Sequence, residues 1–379
     1  MTSAAGILDR LRGQELEMTA LLEQLAMAES PSLEPATQAG PFAILANELR
    51  SIGFEVERVP GRESGDHLEA RPRGRPGAYQ LLLGHMDTVW PTGTLEQMPV
   101  VADNDRVRGP GVYDMKGGLV QMVFALRALD DLRAQPPLVP VVFLNTDEEI
   151  GSHDSGTHIR RLAAGATRAF VLEPSFGPSG KLKTARKGAG YFKLTVEGRA
   201  SHAGLAPEKG ASAILEVSHQ IQRLFALNDR ERGISVNVGT IDGGLRPNVV
   251  APKVTAEVDV RVLHGEDAEA VQRAILGLTP VVEGVKLEVT GGISLPPLER
   301  TERNAALWRA AQEGARELGI DIDEATVGGT SDGNVTSQYT ATLDGLGPVG
   351  DGAHASHEYV VASQMPERAA LLALLLLTP

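Results

Sequence analysis

The 379-residue chain contains no cysteine. That absence removes disulfides, thiolate metal ligands and a cysteine nucleophile together, and it fits a reducing compartment. No apolar run approaches the roughly 20 residues needed to cross a bilayer. The longest, Leu371 to Leu377, reads as part of a buried C-terminal helix. The first thirty residues lack the unbroken apolar segment of a secretory leader, because Asp9, Arg10, Arg12, Glu15 and Glu17 interrupt it. Basic residues are not in surplus either: 36 Lys and Arg against 49 Asp and Glu give a formal charge of −13. An acidic surface repels phosphate backbones, so no nucleic-acid partner is expected, and no membrane partner. The expected location is cytoplasmic.

Glycine is plentiful, at 42 residues, which suits the tight turns and close backbone approaches of α/β enzymes. At about 150 residues per domain the length allows two to three domains. Phe42, Leu45, Leu49 and Ile52 share one helical face, which Gly53 terminates. Phe54, Val56 and Val59 follow as a strand. Short continuous apolar runs at 81–83, 140–144 and 169–172 read as strands buried on both faces, and 119–129 reads as a helix. Strands alternating with helices predict an α/β fold, a mostly parallel sheet flanked by helices.

From residue 187 the pattern changes. Phe192, Leu194 and Val196 alternate, as do Ile234, Val236 and Val238, and Val254 through Val262. With helices through Ile214–Phe225 and about 267–278, and a last strand through Val285, Leu287 and Val289, the order is β-α-β-β-α-β. This is the split βαβ pattern with one apolar sheet face. The expected organisation is therefore 1–186 plus 299–379 as a catalytic domain, interrupted by 187–298 as an α+β ferredoxin-like lid or dimerisation domain.

The acidic and imidazole residues collect at strand ends. His85 and Asp87 follow the 81–83 strand, Asp147-Glu148-Glu149 follows 141–144, and Glu173 follows 170–172. Asp114 stands where a loop enters the 119–129 helix. That edge of an open α/β sheet is where ligands bind. Carboxylates converging there repel one another unless a cation lies between them. One divalent metal, or two sharing a carboxylate, meets that need with nitrogen and oxygen ligands. Taken singly, each piece is ordinary. Asp114 is then a helix N-cap, His85-x-Asp87 a solvated loop pair, and Glu148-Glu149 a surface acidic pair.

Together, Gly84-His85-Met86-Asp87-Thr88-Val89, Gly109-Pro110-Gly111 through Gly118, Thr146-Asp147-Glu148-Glu149-Ile150-Gly151-Ser152, Ser201-His202-Ala203-Gly204 and His354…Glu358-Tyr359-Val360 resemble the co-catalytic zinc exopeptidase and deacylase family. That family includes glutamate carboxypeptidase, acetylornithine deacetylase, succinyl-diaminopimelate desuccinylase and aminoacylase. The texture is most similar to the glutamate carboxypeptidase branch. The resemblance implies two zinc ions per subunit bridged by Asp114, with His85 and Glu173 completing one shell and Glu149 and His354 the other. His354 rather than His357 meets the family spacing of His, three residues, then Glu-Tyr. Asp87 would orient His85 through its second ring nitrogen. Glu148 would be general base and proton shuttle. A non-prolyl cis peptide is implied at Asp114–Met115.

For the inserted domain, the resemblance implies that His202 reaches a partner subunit's site and stabilises the oxyanion, in a homodimer formed through the lid. Asn248 and Arg261 match positions that contact the substrate carboxylate. Lys181 fits a substrate-contact position, although a plain loop lysine fits equally. Gly329 and Thr330 lie in a loop whose amides could hold a carboxylate, or that is only a strand-to-helix turn. Glutamate-specific relatives carry a further arginine where this chain reads Gly291-Gly292-Ile293-Ser294, which favours a more apolar residue beside the scissile amide.

The implied activity is hydrolysis of a peptide or N-acyl amide beside a free carboxylate, as a carboxypeptidase or N-acyl-amino-acid amidohydrolase. A dipeptidase or deacetylase of the same family is the alternative. A two-metal phosphoesterase would require a cationic phosphate pocket, and a non-catalytic binding homologue is disfavoured by the intact Glu148.

Overall fold

A computed structural model describes residues 3–379. The chain forms two compact units. One comprises residues up to Thr184 with Arg300–Val327 and Ser331–Pro379; the other comprises Ala185–Glu299 with Gly328–Thr330.

The first unit is built on a six-stranded sheet in the order Phe54–Val59, His67–Pro72, Val139–Asn145, Tyr79–His85, Arg168–Val171, Ala341–Leu343. The last four strands run parallel, whereas the first two pair antiparallel. The sheet is therefore mixed, with a parallel core. Leu81, Leu82 and Leu83 are fully enclosed, as a strand covered on both faces requires. Burial of each such side chain contributes about 1.5–3 kcal/mol. His67–Pro72 has no apolar run to announce it, because Glu69 and Arg71 interrupt the strand.

Helices cover the sheet. Ala39–Ser51 ends before Gly53, whose φ of 82° is left-handed. Gly117–Asp131 packs against the C-terminal helix Met365–Leu377, in which Leu371, Leu372, Leu375 and Leu376 are buried. Two N-terminal helices, Ala4–Arg12 and Glu15–Met27, join the same core. No helix among the described residues is long and apolar enough to cross a membrane. A small antiparallel sheet, with Tyr359–Val361 beside Arg106–Arg108, adjoins the loop that carries Asp114.

The second unit is a four-stranded antiparallel sheet in the order Ser235–Gly243, Lys253–Val262, Gly188–Glu197, Lys286–Leu295. In chain order these are strands two, three, one and four, the ferredoxin-like arrangement. Phe192, Leu194, Val196, Val254, Ala256, Val258, Val260 and Val262 form its core, beneath the helices Ala213–Phe225 and Gly265–Leu276. The opposite face carries Tyr191, Lys193, Glu257, Asp259 and Arg261. The last strand continues to Leu295, beyond its apolar alternation. Its continuation depends on Gly291, at φ 109°, where a Cβ would lie 2.1 Å from the Tyr191 carbonyl oxygen. No side chain fits there.

Candidate metal centre

Parallel strands end on the same side of a sheet, and this places the site. Tyr79–His85 ends on His85, Val139–Asn145 leads into Glu148 and Glu149, and Arg168–Val171 leads into Glu173. Asp114 lies in the single turn Val112–Lys116, just before the helix Gly117–Asp131, and its peptide bond to Met115 is cis. The helix can abut the sheet because residue 118 is glycine; a Cβ there would lie 2.0 Å from the Leu172 carbonyl oxygen.

Asp114 faces two histidines. Its Oδ1 is 3.4 Å from His85 Nε2, and its Oδ2 is 3.5 Å from His354 Nε2. Glu173 Oε1 lies 3.5 Å from His85 Nε2, and Glu149 Oε2 lies 3.0 Å from His354 Nε2. Two sets have ligand atoms within 4.8 Å of one another: His85, Asp114 and Glu149, and His85, Glu148 and Glu173. His85 Nε2 and Glu149 Oε1 are buried without a hydrogen-bond partner, an arrangement that is costly unless something else meets them. Imidazole and carboxylate donors without thiolate suit zinc and its divalent neighbours. The residues fit a pair of divalent cations.

The electrostatics reflect crowding of like charges. Burial disfavours a charged His85, but the facing carboxylates of Asp114, Asp87 and Glu173 outweigh it and hold the imidazole well above its usual range. Burial and neighbouring carboxylates push Glu148 well above the ordinary carboxyl range. Burial likewise raises Glu149 to about 7, against the contrary pull of His354. Burial would raise Asp114, but the neighbouring His85, then Lys183 and His354, overcome it and hold the carboxyl below its ordinary value.

Asp87 fixes both a candidate ligand and the candidate base. Its backbone carbonyl is 3.0 Å from His85 Nδ1, and its carboxylate 3.4 Å. The same carboxylate accepts the amides of Glu148 (3.3 Å) and Glu149 (3.2 Å) and the Ser32 hydroxyl (2.6 Å). Further along, Asp147 accepts the amides of Asp154 and Ser155. Asp332 accepts from Ser152 Oγ at 2.6 Å and Asn145 Nδ2 at 2.8 Å. Sequence reasoning gave no role to Ser32, Asp332 or Glu358. Glu358 did stand inside a quoted motif, four residues after His354, and Asp332 in a quoted glycine-rich loop. Ser32 carried no signal.

Other sequence-selected residues have the following surroundings. Lys181 is paired with Asp323 at 2.6 Å, and His357 is exposed. In the second unit, Arg261 is gripped by Asp259 through Nε and a terminal nitrogen, both at 3.0 Å, and reaches the Tyr191 hydroxyl at 3.2 Å. His202 is exposed; its Nδ1 accepts the amides of Gly204 and Leu205, both at 3.1 Å. In the neutral ring that leaves Nε2–H as a donor. Asn248 is exposed and its carbonyl accepts the Ala203 amide. The carbonyls of Gly329 and Thr330 accept from Arg186 at 3.3 and 3.2 Å.

A carboxylate set between two His–Glu pairs at the strand ends of an α/β sheet defines the class: metal-dependent hydrolases with two adjacent cation positions. The model of Peptidase family M20/M25/M40 matches residues 81–378, and the chain belongs to that family. It is 31% identical over 366 residues to carboxypeptidase G2 of Pseudomonas sp. (strain RS-16), covering 94% of this chain and 88% of that one. It is 30% identical over 352 residues to the succinyl-diaminopimelate desuccinylase of Dechloromonas aromatica (strain RCB), covering 88% and 91%. Among solved structures it is similar to a dinuclear metal binding peptidase of Bacillus subtilis, with TM-score 0.71, 15% identity and coverage of 96% and 98%.

Proposed function

We propose that the chain is a dizinc hydrolase that cleaves a peptide or N-acyl amide bond beside a free carboxylate. One observation carries this reading: the two oxygens of Asp114 face different histidines, each with its own glutamate. His85 and Glu173 would hold one cation and His354 and Glu149 the other, with Asp114 common to both. Such cations supply Lewis acidity toward a carbonyl and acidify water. Glu148 takes the proton of the attacking water and delivers it to the leaving nitrogen. Asp87 keeps the Glu148 turn and the His85 ring in register.

In the same proposal, residues 187–298 act as a lid and dimerisation domain, and His202 of one subunit donates Nε2–H to the oxyanion in the other. Arg261, Asn248, Lys181 and the Gly329-Thr330 loop contact substrate. Ile214, Leu215 and Phe225 on the helix Ala213–Phe225, with Ile241 on the edge strand, are about half exposed. An apolar helix face beside an unpaired strand edge supports a homodimer. Zinc as the native metal and a cytoplasmic setting complete the reading.

The test is metal analysis of the purified protein, then hydrolysis assays on N-acyl amino acids, N-succinyl amino acids, dipeptides and phenyl phosphate. Two zinc equivalents and turnover of the amides alone are expected. A protein without zinc, or one that cleaves only the phosphate ester, refutes the reading. The desuccinylase likeness places the N-succinyl compounds in the panel.

A further inference from the structure

Glu358 is 1% exposed, yet among the described residues no lysine or arginine forms an ion pair with it. Its carboxylate instead accepts four N–H donors. Oε1 takes the amides of Tyr113 at 2.8 Å and Asp114 at 3.0 Å. Oε2 takes the amide of Gly111 and the indole Nε1–H of Trp90, both at 2.9 Å. Two oxygens with four lone-pair sites are thereby filled. Only a carboxylate meets four donors without offering one of its own; a carboxamide at this place would turn an NH2 group toward two N–H groups.

The segments it joins are those of the candidate centre. Trp90 lies three residues beyond Asp87, residues 111–114 deliver Asp114, and Glu358 lies four residues after His354. Just beyond it, Tyr359–Val361 pairs with Arg106–Arg108, the strand that leads into the Asp114 loop. The ladder aligns the two chain segments, and the carboxylate fixes the end of that alignment where the ligands begin.

We propose that Glu358 is a positioning residue for the metal cluster: its carboxylate fixes the Asp114 backbone against the His354 loop and so sets the spacing of the cation position between Asp114, Glu149 and His354. The inference rests on the dinuclear reading above. The position beside His85 and Glu173 depends on it less, because strand ends rather than the 352–358 loop deliver those two side chains.

The protein has two tryptophans, so a Trp308→Phe background leaves Trp90 as sole reporter. In that background Glu358→Gln and Trp90→Phe are compared with the parent by zinc competition against a chromogenic chelator, thermal unfolding and, for Glu358→Gln, Trp90 emission. For Glu358→Gln the second zinc equivalent should weaken by about 10- to 100-fold, the usual effect of losing an outer-sphere partner. The first equivalent should change by less than about threefold on the same outer-sphere scale, and Trp90 emission should shift. Should Glu358→Gln not fold, Trp90→Phe removes one donor of four and should weaken the second equivalent severalfold. Unchanged zinc affinities in the variant that folds overturn the proposal, as does equal weakening of both equivalents with a matching fall in thermal stability. A parent protein that binds fewer than two equivalents overturns the dinuclear reading, and this inference with it.

Discussion

The two halves of the candidate centre are built differently. His85 has a side chain only 1% exposed, is seated at the end of a fully enclosed strand and is held on its far nitrogen by Asp87. His354 is 54% exposed, stands in a loop at φ 59° and turns Nε2 toward the carboxylates of Glu149 and Asp114. One half is preorganised by the sheet and the other by a loop whose geometry comes from Glu358. The sheet alone places His85, whereas the side chain of His354 stands half exposed. Asp114, between them, belongs to both.

That contrast can be broken or sharpened by substitution. Asp114→Ala should abolish both zinc equivalents and all turnover, because neither half retains its common oxygen donor; elemental analysis showing even one equivalent at full occupancy would contradict a shared ligand. Glu148→Ala should lower kcat by about 10²–10⁴-fold, the range for loss of a general base, while zinc content stays at two. His354→Ala should lose one equivalent and keep the other, whereas His85→Ala should destabilise the apo fold as well, since it empties a buried position; isothermal titration and thermal unfolding separate the two. His202→Ala should reduce kcat with metal content intact. Mixed with Glu148→Ala protomers it should regain part of the activity, and no rescue despite demonstrated subunit exchange would argue against a site shared between subunits.

The smallest effect belongs to Asp154, on the same loop as Glu149. Burial alone would raise its carboxyl, but the amides of Arg62, Glu63 and Ser64 and the Ser64 hydroxyl pull it down to about 2. A carboxyl lowered on folding stabilises the protein above its unfolded value of about 3.9, and that contribution fades as pH falls toward about 2. Asp154→Asn should therefore lower the urea midpoint at pH 6, by an amount that shrinks as pH falls through about 4 and vanishes only below about 2. A constant difference across that range would remove ionisation as the cause.

Most of this was legible in the sequence, for physical reasons. Strands enclosed on both faces leave continuous apolar runs, as at 81–83 and 140–144, and the half-covered sheet leaves strict alternation, as at 254–262. The acidic and imidazole residues stood out because they followed those runs directly. His67–Pro72 was hidden because Glu69 and Arg71 break its apolar pattern, although the strand lies inside the sheet and Glu69 is buried against Arg71 and Arg161. The strand through Gly291 was hidden because backbone contact, not side-chain pattern, continues it. The resemblance placed Arg261 at a substrate-contact position, but its pairing with Asp259, two residues earlier on the same strand, left no mark in the sequence. Glu358, Asp332 and Ser32 escaped because their roles depend on which N–H and O–H groups they meet, and those partners come from chain segments up to 268 positions away.

Asp87 carries a consequence for any attempt to dissect this centre by mutation. One residue both braces an imidazole, through its backbone carbonyl and its carboxylate, and receives the amides of the residues that would carry protons and bind metal, so these tasks are mechanically linked. Kinetic losses at positions 85, 87 and 148 will not sum, and a double-mutant cycle across them should return a large interaction energy rather than independent contributions.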